Sequence, residues 1–181
     1  MTNIVYIATS LDGYIADSQG GLDWLHAIPN PDHDDLGWAE FISGIDALVM
    51  GRTTFETVCS FDVPWPYPKP VFVLSNSLKE IPEAYRDKAQ LVTAQQAASL
   101  ESLVKSLNDM GYQRLYIDGG KTIQSFMAED LVDELIITQI PVLLGGGSSL
   151  FGAVPQMQNF SLVSSQVLLG AMVKNHWRRQ R

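Results

Sequence analysis

Apolar residues along the chain come in short runs, each closed by turn residues or followed by a stretch with helical spacing. Ile4–Ala8, Ala47–Met50, Val71–Leu74, Leu115–Ile117 and Leu135–Ile137 read as strands. Several are apolar at consecutive rather than alternate positions, which predicts strands covered on both faces in a largely parallel sheet. Thr93 is placed to cap a helix that carries Ala97, Leu100, Val104, Leu107 and Met110 on one stripe and ends at Gly111. A second helix is expected from Asp34 or Asp35 to Ile42, and a third from Lys121 to about Glu129. Ile140–Leu144 reads as extended, and three glycines at 145–147 break it. Two strand-like runs then flank Gly170-Ala171, predicting an antiparallel hairpin added to the sheet edge, with His176 in an edge strand. Trp65–Pro70 is a stiff loop, because its prolines forbid helix and central strand. The pattern is that of a single α/β domain over residues 1–181.

Composition narrows the class. Twelve Lys and Arg face twenty Asp and Glu, a net charge of −8, so bulk charge repels polyanions and speaks against general binding to nucleic acid or anionic membranes. Cys59 is the single cysteine, which leaves no internal disulfide and no Cys-rich zinc site; no metal is expected. No basic start with a long apolar run opens the chain, and no stretch approaches the roughly 20 apolar residues of a membrane span. A reduced, cytoplasmic setting is the expectation.

Three junctions carry candidate chemistry. At Met50-Gly51-Arg52-Thr53-Thr54-Phe55-Glu56 a buried strand should pass into a helix. Gly51 allows close backbone approach, the next amides and the Thr53 and Thr54 hydroxyls can donate to phosphate oxygens, and Arg52 adds a fork of donors. The same residues could simply cap a helix beside a solvated charge. At Tyr116-Ile117-Asp118-Gly119-Gly120-Lys121-Thr122-Ile123 strand, paired glycines and helix recur, and a pyrophosphate could sit on the main chain with Lys121 and Thr122 beside it. The spacing matches neither the GxGxxG fingerprint nor a P-loop. Ala8-Thr9-Ser10-Leu11-Asp12-Gly13-Tyr14-Ile15 runs from the first strand into an Asp-Gly turn, which could be turn chemistry alone.

The order SLDGYIA, DALVMGRTTFE, VFVLSNS, IDGGKTIQSF, PVLLGGGSSLF resembles the dihydrofolate reductase superfamily. More narrowly, it is similar to the reductase domain of the bifunctional riboflavin-biosynthesis deaminase/reductase. The resemblance spans nearly the whole chain and implies a three-layer fold, an NADPH cofactor, hydride transfer to a pterin or ribosylaminopyrimidine, and a homodimer. It assigns the nicotinamide carboxamide to main-chain atoms at Ala8 and the ring border to Ile15. Gly51, Arg52, Thr53 and Thr54 fall on the adenosine and pyrophosphate side, Leu74, Ser75 and Asn76 by the 2′-phosphate, and Gly119, Gly120, Lys121, Thr122 and Ile123 in the second pyrophosphate loop. Arg52 beside a phosphomonoester would favour NADPH over NADH.

Two acids compete for the substrate. Asp35, followed by Leu36 and Trp38, matches the pterin-binding acid of folate reductases, yet Asp34 or Asp35 is equally the expected helix N-cap. Asp118 matches the acid that approaches the substrate ribose in the riboflavin reductases. Either could supply a proton or its field if burial raised its pKa. Ser10, Asp12, Trp24 and Trp38 complete the expected substrate side.

The chain departs from both branches. Riboflavin reductases have small polar residues in place of Arg52, and folate reductases lack both the acid at Asp118 and the PVLLGGG segment. The zinc motifs H-x-E and PCxxC of a deaminase are absent from the sequence. Three readings therefore stand: a reductase of the riboflavin type, a dihydrofolate reductase, and a nucleotide-binding protein on the same fold without turnover.

Overall fold

Consecutive residues of a strand point to opposite faces of its sheet, and in the computed structural model, which describes all 181 residues, both faces are covered. The strands are β1 (Thr2–Ser10), β2 (Tyr14–Ala16), β3 (Ala47–Gly51), β4 (Val71–Leu74), β5 (Ala89–Val92), β6 (Arg114–Asp118), β7 (Glu134–Ile140), β8 (Ser148–Ser149), β9 (Asn159–Leu168) and β10 (Met172–Gln180). The helices are α1 (Trp38–Ser43), α2 (Arg52–Cys59), α3 (Leu100–Asp109) and α4 (Gly120–Ala128). Val5, Val49, Ile117 and Leu135 meet Leu103, Val104 and Leu107 of α3 and Ile123 and Phe126 of α4. Their neighbours Ile4, Leu48, Met50 and Tyr116 face the other way, against Ile42 and Phe55 of α1 and α2. The result is three layers with two cores, each large side chain contributing about 1.5–3 kcal/mol by leaving water.

The main sheet has eight strands in the order β5-β4-β3-β6-β1-β7-β10-β9. The first six are mutually parallel, and the terminal hairpin joins antiparallel to β7. All five predicted runs are strands of this sheet. At the hairpin tip Leu169 (φ 50°) and Gly170 (φ 68°) take left-handed backbone, as a type I′ turn requires. No helix of the protein is long and apolar enough to cross a membrane.

Several local expectations are corrected. Thr93 does not cap α3; its hydroxyl and amide bond Gln96 in a separate turn. Ser99 is the cap, its Oγ accepting the Ser102 N–H while the Ser102 Oγ accepts the Ser99 N–H, so the helix starts at Leu100 and leaves Ala97 outside it. Met110 is 66% exposed, past the end of the stripe, and Gly111 (φ 99°) ends the helix with the Tyr112 N–H bonded to the Leu107 carbonyl. α1 starts at Trp38 because Leu36 and Gly37 both adopt left-handed backbone. β7 stops at Ile140, so Pro141–Leu144 is loop rather than a continued strand. In β5 Gln90 interrupts a four-residue run, which leaves no continuous apolar stretch to announce it. His176 is interior, since β10 is paired on both sides, and the free edge belongs to β9.

Candidate active site

Strand ends of a parallel sheet gather their following loops on one edge, where open α/β sheets bind ligands. β3 and β6 are neighbours there, with Met50 opposite Asp118, and each runs directly into a helix. Gly51 and Gly119 stand at the two junctions, each against a threonine of the other helix. A Cβ on Gly51 would lie 3.0 Å from Thr122 Oγ1, and one on Gly119 (φ 91°) would overlap Thr54 Oγ1. Neither α2 nor α4 has a side-chain cap, so the amides of Arg52–Thr54 and Gly120–Thr122 lack intrahelical partners. Two positive helix ends side by side, with bare main chain between them, fit a pair of linked phosphates.

The flanking side chains differ in freedom. Arg52 pairs with Glu56 at 3.5 Å, both about half exposed, a contact too weak to hold the guanidinium. Lys121 is exposed, whereas Thr122 is buried. Ile123 is fully buried in the core and its amide is bonded to the Gly119 carbonyl at 2.9 Å, so it anchors the turn from beneath.

On one side of the junctions, Leu74, Ser75 and Asn76 line a groove of about 450 Å³ with Val92, Thr93 and Leu100. Ser75 Oγ accepts the Leu78 N–H at 2.9 Å, and Asn76 Oδ1 accepts the Ala94 N–H at 2.8 Å. Both side chains thus hold the groove's wall. Glu129 brings a carboxylate to the same groove.

On the other side, β1 outruns β6. Its pairing to β6 ends at Val5 while its pairing to β7 continues through Ser10, so one main-chain edge of Ile7 and Ala8 has no strand partner. Ile15 on β2 sits over Gly120, where a Cβ would lie 2.7 Å from Ile15 Cδ1. Ser10 Oγ donates to Asp12 Oδ1 at 2.6 Å, and Asp12 accepts the Leu144 and Gly145 amides at 3.1 and 2.8 Å. The Ser10 hydroxyl and these amides hold the Asp12 carboxyl down at about 2. Ser10 and Asp12 staple the Asp-Gly turn to the glycine loop.

The two competing acids have opposite surroundings. Asp35 is exposed, and its two oxygens accept the Gly37 and Ala39 amides, each at 2.9 Å. Those amides, helped by Lys174, outweigh a smaller desolvation that raises its pKa and hold its carboxyl below the usual range; from ahead of the N-cap residue Gly37 it serves the first-turn amide of Ala39. Asp118 is packed against Tyr67 and Tyr116, and burial pushes its carboxyl up, opposed by hydrogen bonds from the Gly119 amide and the Tyr67 hydroxyl. Trp38 packs against Tyr6, Phe41, Tyr67 and Tyr116 within one aromatic cluster. Trp24 lies on a short 3-10 turn (Asp23–His26), its buried indole N–H without a hydrogen-bond partner.

Tyr67 and Lys174 belong to this region and were not singled out from sequence. Lys174 Nζ donates to the Leu36 carbonyl at 2.8 Å, across 138 residues of chain, and nothing local in the sequence announces it. Tyr67 was readable in principle, because prolines on both sides fix its direction.

A mostly parallel three-layer sheet with open helix ends at adjacent strand termini defines a dihydrofolate reductase-like fold. Dihydrofolate reductase from Enterococcus faecalis, solved with NADP(H) and RAB-propyl, superposes with a TM-score of 0.67 at 17% identity, over 99% of this chain and 97% of that one. The chain belongs to the RibD C-terminal domain family, whose sequence profile matches residues 2–173. A protein of Shewanella sp. PV-4, provisionally named for riboflavin biosynthesis, is 50% identical with a TM-score of 0.95, each chain covered in full. The deaminase/5-amino-6-(5-phosphoribosylamino)uracil reductase of Thermotoga maritima has a TM-score of 0.76 at 16% identity, over 99% of this chain and 56% of that one. The uncharacterized protein YwjB of Bacillus subtilis strain 168 is 34% identical, over 82% of this chain and 81% of its own.

Proposed function

We propose that this protein is an NADPH-dependent reductase of a pyrimidine- or pterin-type ring. A 5-amino-6-(5-phosphoribosylamino)uracil-like compound is the first candidate acceptor and dihydrofolate the second. The observation that carries this reading is the meeting of two uncapped helix ends beside Asp118, while Asp35 spends both oxygens on the main chain. When bound, the dinucleotide supplies hydride from nicotinamide C4 to a C=N or C=O carbon. The amides of Arg52–Thr54 and Gly120–Thr122 hold its diphosphate, Lys121 adds charge there, and the Arg52 guanidinium lies on the adenosine side within reach of the 2′-phosphate. The free main-chain edge at Ala8 anchors the carboxamide, Ile15 borders the ring, and Ser75 and Asn76 face the adenosine end. Asp118 takes hydrogen bonds from the acceptor's ribosyl hydroxyls and, with its raised pKa, can hold a proton near the reacting ring. Trp24 and Trp38 wall the acceptor.

Nicotinamide absorbance followed with a panel of folate, pterin and ribosylaminopyrimidine compounds tests the reading. Oxidation of NADPH by a ribosylaminopyrimidine, faster than by dihydrofolate, is the expected outcome. Binding without oxidation across the panel favours a nucleotide-binding protein without turnover, and no thermal shift with NADPH overturns the cofactor assignment. The exposed β9 edge, with Leu162, Val163 and Val167 in the open, supports a homodimer; light scattering at falling concentration checks it.

A further inference from the structure

Prolines at 64, 66, 68 and 70 alternate with Trp65, Tyr67 and Lys69. Each proline locks its own φ near −65° and drives the preceding residue into extended backbone. A strap of this composition has period two. Trp65, Tyr67 and Lys69 are accordingly half-buried while Pro66, Pro68 and Pro70 are exposed. Trp65 packs on Phe55 and Tyr85, with ring centroids 6.0 and 5.2 Å away, and Lys69 Nζ reaches the Ser43 carbonyl at 3.5 Å. Tyr67 is the middle anchor, between Trp65 at 5.4 Å and Trp38 at 6.3 Å.

Held on both sides, the Tyr67 hydroxyl lands 3.3 Å from Asp118 Oδ2, while the Gly119 amide donates to Asp118 Oδ1 at 2.8 Å. The carboxyl group is clamped at each oxygen, once by the glycine loop and once by the strap. We propose that the Pro64–Pro70 strap is a positioning device for the site and that Tyr67 acts through Asp118, fixing its carboxyl group at the end of β6. The structural part stands by itself; the part that concerns turnover rests on the reductase reading. The groups facing Asp118 are Tyr67 from the strap and Tyr116 from β6, whose hydroxyl proton goes to the Tyr6 carbonyl at 3.0 Å. No lysine, arginine or histidine pairs with it. The Tyr67 hydroxyl favours the charged form of Asp118 against the burial that disfavours it.

The Gly119 amide reports on this directly, because its hydrogen-bond acceptor is the titrating group. In the ¹⁵N-labelled protein the pH dependence of the Gly119 amide shift gives the Asp118 midpoint without any ligand, and Asp118→Asn, which flattens the curve, assigns it. Tyr67→Phe keeps the ring and removes the donor; the midpoint is expected to rise by about half a unit to one unit. NADPH affinity should stay within about twofold, while KM for the acceptor rises about fivefold and kcat changes less. Pro66→Ala with Pro68→Ala, leaving Tyr67 intact, should raise the midpoint in the same direction by less, and serves if the phenylalanine variant does not fold. An unmoved midpoint in both variants overturns the coupling, even if turnover is found. A raised midpoint without turnover of any acceptor upholds the coupling and sinks the reductase reading.

Discussion

Asp35 and Asp118 both border the aromatic cluster of Tyr6, Trp38 and Tyr67, and their surroundings are opposite. Asp35 opens onto solvent and satisfies two amides ahead of α1; Asp118 closes β6 under a tyrosine from a distant loop. Main-chain donors make Asp35 a stronger acid than usual, and burial makes Asp118 a weaker one. A carboxylate that completes a helix start is committed to the backbone. One set at a strand end, with a single side-chain donor, can still exchange partners with a ligand. Residue type and motif were the same kind of evidence for both; the difference lies in what the nearby main chain needs.

The strongest way to break this contrast is Gly119→Ala, which forces a Cβ into left-handed backbone and against Thr54. A stability loss of about 2–4 kcal/mol in urea unfolding is expected, with NADPH affinity down at least about tenfold, while the Asp35 turn is untouched. Next come the acids themselves. Asp118→Asn should lower kcat/KM by about a hundredfold, whereas Asp35→Asn should change it by less than about threefold and mainly lower Tm through the weakened cap. The reverse ranking in steady-state assays would make Asp35 the working acid and the acceptor a pterin.

Arg52→Ala sharpens the cofactor side. With Glu56 its partner across an exposed gap, its loss should leave Tm nearly unchanged. NADPH binding should weaken about tenfold and NADH binding less, measured by fluorescence titration; equal loss of both would remove Arg52 from the 2′-phosphate. The smallest effect is in pH dependence. Between the ordinary carboxyl value and its raised folded value, Asp118 binds a proton that the unfolded chain releases, so its contribution to stability falls as pH rises through that window. Asp118→Asn should therefore raise Tm at pH 8 by about 2–4 °C relative to wild type and bring no gain at pH 3. Asp35 runs the other way: its folded pKa is lowered, so its contribution is full above the ordinary value and disappears as pH falls through the folded one.

Much of the fold was readable because buried parallel strands require consecutive apolar residues, and Ala47–Met50 or Leu115–Ile117 have few other uses. The junction glycines were readable for the same local reason, since strand, glycine and helix follow without a gap. Readings failed where several local candidates served one role. Thr93 and Ser99 both suit a cap, and only the packing of Leu103, Val104 and Leu107 against the sheet chose Ser99. Asp34 and Asp35 both suit a helix start, and two left-handed residues delayed it to Trp38.

By itself, then, the sequence determined the layered α/β architecture, the two glycine junctions, and the stiffness of the Trp65–Pro70 loop, all set by steric rules within a few residues. The tertiary structure decided that the junctions face one another, Gly51 against Thr122 and Gly119 against Thr54, because strand order in a sheet is a matter of long-range pairing. It also decided which aspartate is half-buried under tyrosines and which lies open to solvent. Tyr67 and Asp118 are 51 residues apart, and a pKa depends on who arrives from elsewhere in the chain as much as on the residue that carries it.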